Sequence, residues 1–301
     1  MLTLALDIGG TKIAVGLVDP AGELVHRAIE PTPKDKVAEN VWEVVARMIG
    51  DVAQVAEGAI RAVGIGSAGP IDATDGTVSP VNIPSWQGFP LRDRVAAAMP
   101  SVPVQLAGDA VCMALGEHWR GAGRGAPFML GMVVSTGVGG GLVLNGKPYQ
   151  GRTGNAGHVG HVVVDQGGQP CPCGGHGCVE TFASGPWMTR WALANGWAGP
   201  PDAAALGRAA EAGEPVALQA FQRGATALAA MIASVGATCD LDLVVIGGGV
   251  AKSGPILFDP LRAALANYAG LSFVRDIQVV PAALGGDAGL IGAAALVSSV
   301  T

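Results

Sequence analysis

The sequence is poor in charged, aromatic and cysteine residues. Charged residues make up 14% of its 301 residues and aromatic residues 5%, and five residues are cysteines. No uninterrupted apolar stretch reaches the roughly 20 residues that span a bilayer, and the first residues show neither the basic segment nor the cleavage site of a signal peptide. We therefore expect a soluble, cytoplasmic protein with no membrane partner.

The sequence also lacks a cluster of Lys and Arg. Its net charge is −6, with 18 Lys and Arg against 24 Asp and Glu. A nucleic-acid-binding surface needs concentrated positive charge to contact phosphates, so we expect no nucleic-acid partner. Half of the residues are hydrophobic. A chain of this length and composition can therefore form two domains or one large one.

Three of the five cysteines fall in one short window. Cys171, Cys173 and Cys178 follow His161, and glycines between them let the backbone fold around a small centre. Thiolate and imidazole are ligands that zinc prefers, and four protein ligands leave no open coordination position. The window therefore predicts a closed, structural Zn²⁺ site rather than a disulfide framework. His176, in the same window, is an alternative ligand.

The N-terminus predicts an antiparallel meander with a glycine-rich first turn. Residues 2–8, 13–19 and 23–29 are three short strands, and a Gly-Gly-Thr-Lys turn joins the first two. Backbone N–H groups in such a turn can surround phosphate oxygens, and an aspartate at the strand end can hold a water of a Mg²⁺ shell. A plain hairpin is the alternative. The residues assigned to ATP binding here are Asp7, Gly9, Gly10, Thr11 and Lys12.

A second hairpin of the same design predicts an internal duplication. Residues 129–134 form a strand, 135–141 a glycine-rich turn, and a strand continues from Leu142. Each half would then supply one loop to a bound nucleotide. A third glycine cluster follows the buried strand 243–246 and precedes a helix, which lets an adenosine or phosphate approach the backbone. The residues assigned to ATP binding here are Ser135, Thr136, Gly137, Gly139, Gly140, Gly247 and Gly248.

Taken in order, these motifs resemble those of the ROK family, whose name covers repressors, open reading frames and sugar kinases. The resemblance extends over essentially the whole chain and rests on the two hairpin turns, the His161 and cysteine set, and residues 246–249. It implies an α/β, two-domain actin/hexokinase-like ATPase fold with a cleft between the domains and a structural zinc site. It also implies ATP, Mg²⁺ and a hexose as small-molecule partners. Because dimers are common in the family, a homodimer is one expectation.

The resemblance also suggests domain boundaries. Residues 1–120 would form a small N-terminal α/β domain with the first phosphate loop and the catalytic aspartate. Residues 121–285 would form a larger α/β domain with the second phosphate loop, the zinc site and the adenosine loop. A final helix at about 286–299 would return to the small domain. The glycine-rich segment 120–125 is the expected hinge, because domain closure needs residues that absorb backbone rotation.

The family contains both kinases and regulators. Its transcriptional regulators carry a helix-turn-helix domain ahead of the strand that ends near Asp7, whereas here that strand starts at residue 2. The resemblance therefore favours an ATP-dependent kinase that phosphorylates the 6-hydroxyl of a hexose. A non-catalytic, sugar-sensing regulator is the distant alternative.

Asp109 matches the catalytic aspartate of the family. Phosphoryl transfer needs alignment, charge stabilisation and a base for the attacking hydroxyl. Asp109 lies where a strand, 104–107, meets a helix, 111–119, so we assign it as the general base. A helix N-cap is an alternative role that is compatible with the first.

Polar groups that pair hydroxyls should recognise the sugar. The expected sugar-binding residues are Gly69 through its backbone, Asn82, Asp109, His158, His161 and Glu180. Solvent exposure is the alternative for Asn82, and a first-turn acid that interacts with the helix dipole is the alternative for Glu180. His161 would bind zinc through one nitrogen, and its second nitrogen could face the hexose.

Two departures from the family pattern bear on the substrate. Family glucokinases read Glu-x-Gly-His where this chain reads His158-Val-Gly-His161, and a histidine at 158 resembles bacterial N-acetylmannosamine kinases. Gly108 replaces the Asn of a family Asn-Asp pair, which opens space near the C3 and C4 hydroxyls; an N-acetylmannosamine kinase would be expected to keep that Asn. A pocket that reads hydroxyls rejects altered sugars strongly. We therefore rank an amino sugar first, N-acetylmannosamine or a 3-amino-hexose such as kanosamine, and glucose second.

Overall fold

The computed structural model describes residues 1–57 and 59–298. The described strands, in chain order, are β1 (Leu2–Ile8), β2 (Lys12–Val18), β3 (Leu24–Pro31), β4 (Ile60–Ser67), β5 (Ile71–Asp72), β6 (Thr77–Val78), β7 (Val104–Gly108), β8 (Phe128–Val134), β9 (Val138–Leu144), β10 (Lys147–Tyr149), β11 (Leu243–Gly247) and β12 (Gln278–Pro281). The described α-helices are α1 (Ala38–Val55), α2 (Leu91–Ala98), α3 (Asp109–Arg120), α4 (Glu180–Ala183), α5 (Gly185–Ala194), α6 (Ala203–Glu211), α7 (Pro215–Cys239), α8 (Pro255–Tyr268), α9 (Ser272–Arg275) and α10 (Ala288–Ser298). Short 3-10 helices lie at Val159–His161, Val250–Ser253 and Gly285–Asp287.

The chain folds into two compact units. The first comprises Met1–Arg124, Pro148–Gly157 and the C-terminal residues from Gly286, and the second comprises Gly125–Lys147 and His158–Gly285. The sequence-based boundaries had left 148–157 with the second domain. In the structure the Asn155 side chain accepts a hydrogen bond from the Ile71 amide at 3.0 Å and donates to the Ile71 carbonyl at 2.7 Å. These bonds attach the segment to the first unit.

A five-stranded mixed sheet forms the centre of the first unit, in the order β3-β2-β1-β4-β7. β2 pairs antiparallel with β1 and β3, which confirms the predicted meander. β4 lies parallel to both β1 and β7. The inner strands are buried along most of their length and are almost continuously apolar, as strands covered on both faces must be.

The second unit repeats this strand order as β10-β9-β8-β11-β12. β8 and β9 form an antiparallel hairpin, and β11 lies parallel to β8 and β12. In each sheet the first two strands in chain order form a hairpin, and later parallel strands are added beside the first strand of that hairpin. This shared arrangement is what the predicted duplication requires. Among the described residues, no helix combines the length and the apolar character needed to cross a membrane.

The C-terminal helix α10 packs in the first unit against α3 and β4. A Cβ atom on Gly116 would lie 2.2 Å from the Ala288 carbonyl oxygen, and one on Gly64 would lie 1.8 Å from the Ala293 carbonyl oxygen. Such backbone contacts exclude any side chain at these glycines. The final helix thus covers the sheet that starts at residue 2.

Candidate active site

The first glycine-rich turn lies between β1 and β2. The Gly9 amide donates to the Lys12 carbonyl at 3.0 Å, so the turn closes tightly. Two side chains beyond the end of β3 bind carbonyl groups of the turn. The Thr32 hydroxyl donates to Gly9 O at 2.6 Å, and the Lys34 ammonium donates to Gly10 O at 2.6 Å. Neither residue was identified from the sequence. Their position directly after the third meander strand, beside the turn, was the available signal.

Two carboxylates lie at the carboxyl ends of neighbouring strands in this unit. Asp7 precedes the last residue of β1, and Asp109 directly follows β7. Ser67, at the end of β4, is the register partner of both Ile8 and Gly108, so the three strands end at one edge of the sheet. Parallel strands place their terminal residues together in this way, and ligands bind at such edges.

Asp7 is partly buried against the start of α10. A Cβ atom on Gly289 would lie 2.6 Å from Asp7 Oδ2. Burial, and to a lesser degree the negative charge of Asp109, raise the pKa of the Asp7 carboxyl to about 6, while Lys12 opposes the rise. Asp7, Asp109 and Lys12 therefore interact electrostatically within the first unit.

Asp109 is the first residue of α3, which begins two residues earlier than predicted. The N-cap is Gly108, so Asp109 does not have the capping role that the sequence allowed. Asp109 Oδ1 accepts a hydrogen bond from the Ala110 amide at 2.7 Å. A Cβ atom on Gly108 would have only Val111 Cγ2 within 4 Å, at 3.9 Å.

Asn82 packs against the first turn. A Cβ atom on Gly10 would come within 2.4 Å of both Cβ and Cγ of Asn82, so only glycine fits opposite this side chain. The preceding residue, Val81, donates from its amide to the Gly69 carbonyl at 3.3 Å. The structure thus places the two loop residues Gly69 and Asn82 together and brings Asn82 to the phosphate-type turn. The Asn82 side chain is also exposed.

His161, Cys171, Cys173 and Cys178 come together in the second unit, with their ligand atoms within 4.8 Å of one another. Cys173 Sγ lies 3.7 Å from Cys178 Sγ, and Cys171 Sγ lies 3.7 Å from His161 Nδ1. Zn–S bonds of about 2.3 Å in a tetrahedron place ligand atoms about 3.7 Å apart, which matches these two separations. The alternative ligand His176 is not part of the group; it forms a backbone bridge with Pro170.

The second glycine-rich turn is held by Glu180, the first residue of α4. Glu180 Oε2 accepts a hydrogen bond from the Val138 amide at 2.9 Å, and a Cβ atom on Gly137 would lie 2.7 Å from the same oxygen. On the other side of the turn, the Gly185 amide donates to the Ser135 carbonyl at 2.8 Å. One carboxylate oxygen of Glu180 is therefore bound to the turn. The sequence analysis had assigned Glu180 to the sugar or to the helix dipole, and not to this turn.

This turn is shorter than predicted. It closes through a hydrogen bond from the Ser135 amide to the Gly137 carbonyl at 2.9 Å. Gly139 and Gly140 lie inside β9, opposite Val133 and Met132. The prediction of a turn over 135–141 is therefore wrong in extent, because strand pairing extends over glycines that have no side chains to indicate it.

The third glycine cluster contacts the second turn. Gly247 ends β11, and Gly248 follows with φ +96°, a left-handed conformation that favours glycine. A Cβ atom on Gly248 would lie 2.4 Å from the Val134 carbonyl oxygen, and one on Gly249 would lie 3.5 Å from Ser135 Oγ. The two glycine clusters assigned to ATP in this unit thus lie side by side.

The two histidines of the His-Val-Gly-His motif are exposed at a short 3-10 helix, Val159–His161. The rings of His158 and His161 lie 6.4 Å apart and are tilted by 21°. A Cβ atom on Gly160 would lie 1.9 Å from the Val138 carbonyl oxygen, so the helix packs tightly on the start of β9. Both histidines are thereby held beside the second turn.

The sequence profile of the ROK family matches residues 3–300. This chain belongs to the ROK family. It is 37% identical over 310 residues to the glucokinase of Thermotoga maritima, which covers 98% of this chain and 96% of that protein. It is 35% identical over 291 residues to the N-acetylmannosamine kinase of Yersinia pestis, with 97% and 96% covered.

The ROK glucokinase of Streptomyces griseus, whose crystal structure was determined with glucose and AMPPNP, superposes on this chain with a TM-score of 0.83. The two are 34% identical, and the match covers 98% of this chain and 99% of that one. This ROK protein therefore has the α/β fold of the ROK sugar kinases, with mixed sheets and a His/Cys group that can hold a metal ion.

Proposed function

We propose that this ROK protein is an ATP-dependent kinase that phosphorylates the 6-hydroxyl of a hexose. The observation that carries the proposal is the position of Asp109. Asp109 lies at the carboxyl edge of the first sheet. It is close enough to Asp7 to raise the pKa of the Asp7 carboxyl. Asp7 is the residue before the last one of β1, which leads into the glycine-rich turn. A base beside a phosphate-binding turn is the arrangement that phosphoryl transfer requires.

In the proposed reaction Asp109 accepts the proton of the 6-hydroxyl as that oxygen attacks the γ-phosphorus. The bond between the γ-phosphorus and the bridging oxygen breaks, and ADP leaves. Mg²⁺, when bound with ATP, neutralises charge on the phosphates. Asp7 would hold a water of its coordination shell, and a carboxyl with a pKa of about 6 is mostly ionised at neutral pH. The residues proposed to bind ATP are Asp7, Gly9, Gly10, Thr11, Lys12, Ser135, Thr136, Gly137, Gly139, Gly140, Gly247 and Gly248.

We further propose a structural Zn²⁺ ion held by His161 and the three cysteines. The dimensions and chemistry of the donor set support it. Its role would be to hold the segments that carry His158 and Glu180, since Glu180 follows the last cysteine by two residues. The residues proposed to contact the sugar are Gly69, Asn82, Asp109, His158, His161 and Glu180.

For the substrate, we propose an amino sugar, N-acetylmannosamine or a 3-amino-hexose such as kanosamine. Two features support it: His158 replaces a carboxylate of the family glucokinases, and a Cβ atom at Gly108, beside Asp109, would have only Val111 Cγ2 within 4 Å. Glucose is the second candidate, because the relative from Thermotoga maritima, at 37% identity, is a glucokinase.

A coupled ATP assay over a sugar panel tests both levels of the proposal. The panel holds glucose, mannose, N-acetylmannosamine, N-acetylglucosamine, glucosamine and 3-amino-3-deoxyglucose. We expect the highest kcat/KM with an amino sugar. A much larger value for glucose than for every amino sugar would refute the substrate assignment and leave the kinase intact. Sugar binding without turnover of any panel member would favour the sensing role instead.

A further inference from the structure

The first glycine-rich turn is tied to the chain beyond β3 by three hydrogen bonds. Besides the side-chain bonds of Thr32 to Gly9 O and Lys34 to Gly10 O, the Thr32 amide donates to the Thr11 carbonyl at 3.0 Å. Thr32 is 4% exposed. Its position is in turn set by the pairing of Lys12 with Pro31 in the sheet. All three carbonyl groups of the turn are therefore directed to one side.

The orientation of these carbonyls determines where the amides point. A trans peptide is planar, and its N–H points opposite to its C=O. Since Gly9 O faces Thr32 and Gly10 O faces Lys34, the amides of Gly10 and Thr11 face away from both side chains. Within the described chain neither amide has a hydrogen-bond partner, and Gly10 is buried. Buried amides rarely lack a partner, so the Gly10 amide is poised to bind an acceptor, and the amide of the exposed Thr11 is open to one.

Without such restraints the turn could adopt other peptide orientations. Gly9 and Gly10 have no Cβ, so rotation of the peptides beside them costs little. A flipped peptide would present a carbonyl oxygen where an amide is needed and would repel an anion.

We infer that Thr32 and Lys34 are positioning residues of the phosphate-binding turn: they hold two peptide groups so that the amides of Gly10 and Thr11 face the phosphates of the nucleotide. The inference rests on the proposed function, since it takes the ligand to be ATP. The two residues restrict the turn through different chemistry. Thr32 supplies a neutral hydroxyl from a buried site, and Lys34 supplies a charged donor from an exposed one.

The test is the Kd of ADP and of a non-hydrolysable ATP analogue, measured by calorimetry on the full chain with Mg²⁺ and without sugar. Thr32→Val removes the hydroxyl at nearly constant volume, and Lys34→Met removes the ammonium. Each should weaken nucleotide binding about tenfold, the effect of one lost hydrogen bond. Thr32→Ser should restore binding. Lys36→Met is the matched control, since Lys36 is an exposed lysine two residues from Lys34, and it should bind as wild type does.

Three results would overturn the inference or its basis, each in a distinct way. Wild-type protein that binds no nucleotide would refute the proposed function. Wild-type binding with unchanged Kd values in Thr32→Val and Lys34→Met would refute the positioning role alone. A loss confined to Lys34→Met that disappears at 1 M salt would show that the lysine acts through its charge, because salt screens charges but does not restore a peptide orientation. Matched melting temperatures and sugar Kd values would show that the variants are folded.

Discussion

Asp7 and Asp109 lie close together in the first unit but in different environments. Burial raises the pKa of Asp7 to about 6, and Asp109 adds to that rise. Asp109 sits in the first turn of α3, where its carboxylate accepts the Ala110 amide and the helix dipole favours negative charge. The proposed function gives the two carboxylates separate roles, a metal-bound water for Asp7 and the reacting hydroxyl for Asp109.

Asp109→Asn should lower kcat by about 10²- to 10⁴-fold, the usual contribution of a general base, while the sugar Kd changes little. The amide keeps the size of the side chain but cannot take the proton. Steady-state kinetics and sugar binding would be compared with those of Asp75→Asn, an exposed aspartate of the same unit. Turnover close to that of the wild type would show that Asp109 is not the general base.

Asp7 should make the stability of the protein depend on pH. Its pKa is raised in the folded state, from 3.8 to about 6, so the folded state binds the proton more tightly than the unfolded state does. The free energy of unfolding should therefore fall as the pH rises through this range and stay lower above it. Asp7→Asn removes the titrating carboxyl and with it this pH dependence. It should stabilise the protein at pH 7 by up to about 3 kcal/mol, at 1.36 kcal/mol per pKa unit.

Urea unfolding at pH 7 and pH 4 measures this difference. The advantage of Asp7→Asn should shrink at pH 4, where the native carboxyl is protonated. An advantage of equal size at both pH values would show that ionisation of Asp7 is not its cause. The same variant should bind Mg²⁺-nucleotide more weakly, so stability and function would change in opposite directions.

Short elements hold the candidate site of the second unit. The 3-10 helix Val159–His161 packs on the start of β9, and α4 begins with Glu180, whose carboxylate binds the Val138 amide. Both segments adjoin the cysteine group, as Val163 bridges to Cys178 in the backbone. Neither element is long enough to be stable alone. A metal ion that links His161 to the three cysteines would hold both in place.

Cys173→Ala should lose zinc and weaken both sugar and nucleotide binding. The loss of nucleotide binding follows because Glu180, next to the cysteine group, also holds the second glycine-rich turn. Metal content by mass spectrometry and the Kd values would be compared with those of Cys239→Ala, a cysteine in α7 that lies outside the group. Unchanged zinc stoichiometry would refute the ligand assignment. Zinc loss with unchanged nucleotide binding would show that the metal does not position Glu180 at the second turn.

The last described helix, α10, covers the sheet that begins at residue 2 in the first unit. The contact between α10 and α3 is close enough to exclude side chains: a Cβ atom on Gly292 would lie 1.5 Å from the Cys112 carbonyl oxygen. Cys112 itself is fully buried, and burial raises the pKa of its thiol well above the usual range. Since α10 also packs against Asp7, the last described helix adjoins the candidate site at the first strands.

Gly292→Ala should destabilise the protein by about 2 kcal/mol or more. Alanine gains about 1 kcal/mol of helix propensity over glycine, but the obstructing atom is backbone and cannot move cheaply, so overpacking dominates. Gly50→Ala is the control, because Gly50 lies in α1 with nothing within 4 Å of an added Cβ. That substitution should stabilise by about 0.5 to 1 kcal/mol. Thermal unfolding of the two variants should shift in opposite directions; a shift in the same direction would refute the packing argument.

Local patterns in the sequence were enough to predict much of the fold. Alternation of apolar runs and glycine-rich turns predicted the two hairpins, and the spacing of Cys171, Cys173 and Cys178 behind His161 predicted a group that the structure brings together. The predicted bounds of the first strand, residues 2–8, agree with those of β1. These features depend on residues near one another in the chain, where periodicity and turn chemistry act directly.

Contacts between distant residues were decided only by the tertiary structure. No local pattern indicates that Lys34 reaches the Gly10 carbonyl, that Glu180 binds the Val138 amide, or that Asn155 joins its segment to the first unit. Each of these bonds joins a side chain to a backbone group elsewhere in the chain, and a backbone group has the same chemistry in every residue. The sequence by itself therefore determined which side chains are present and where the turns fall, and the packing of strands and helices decided which backbone groups those side chains hold.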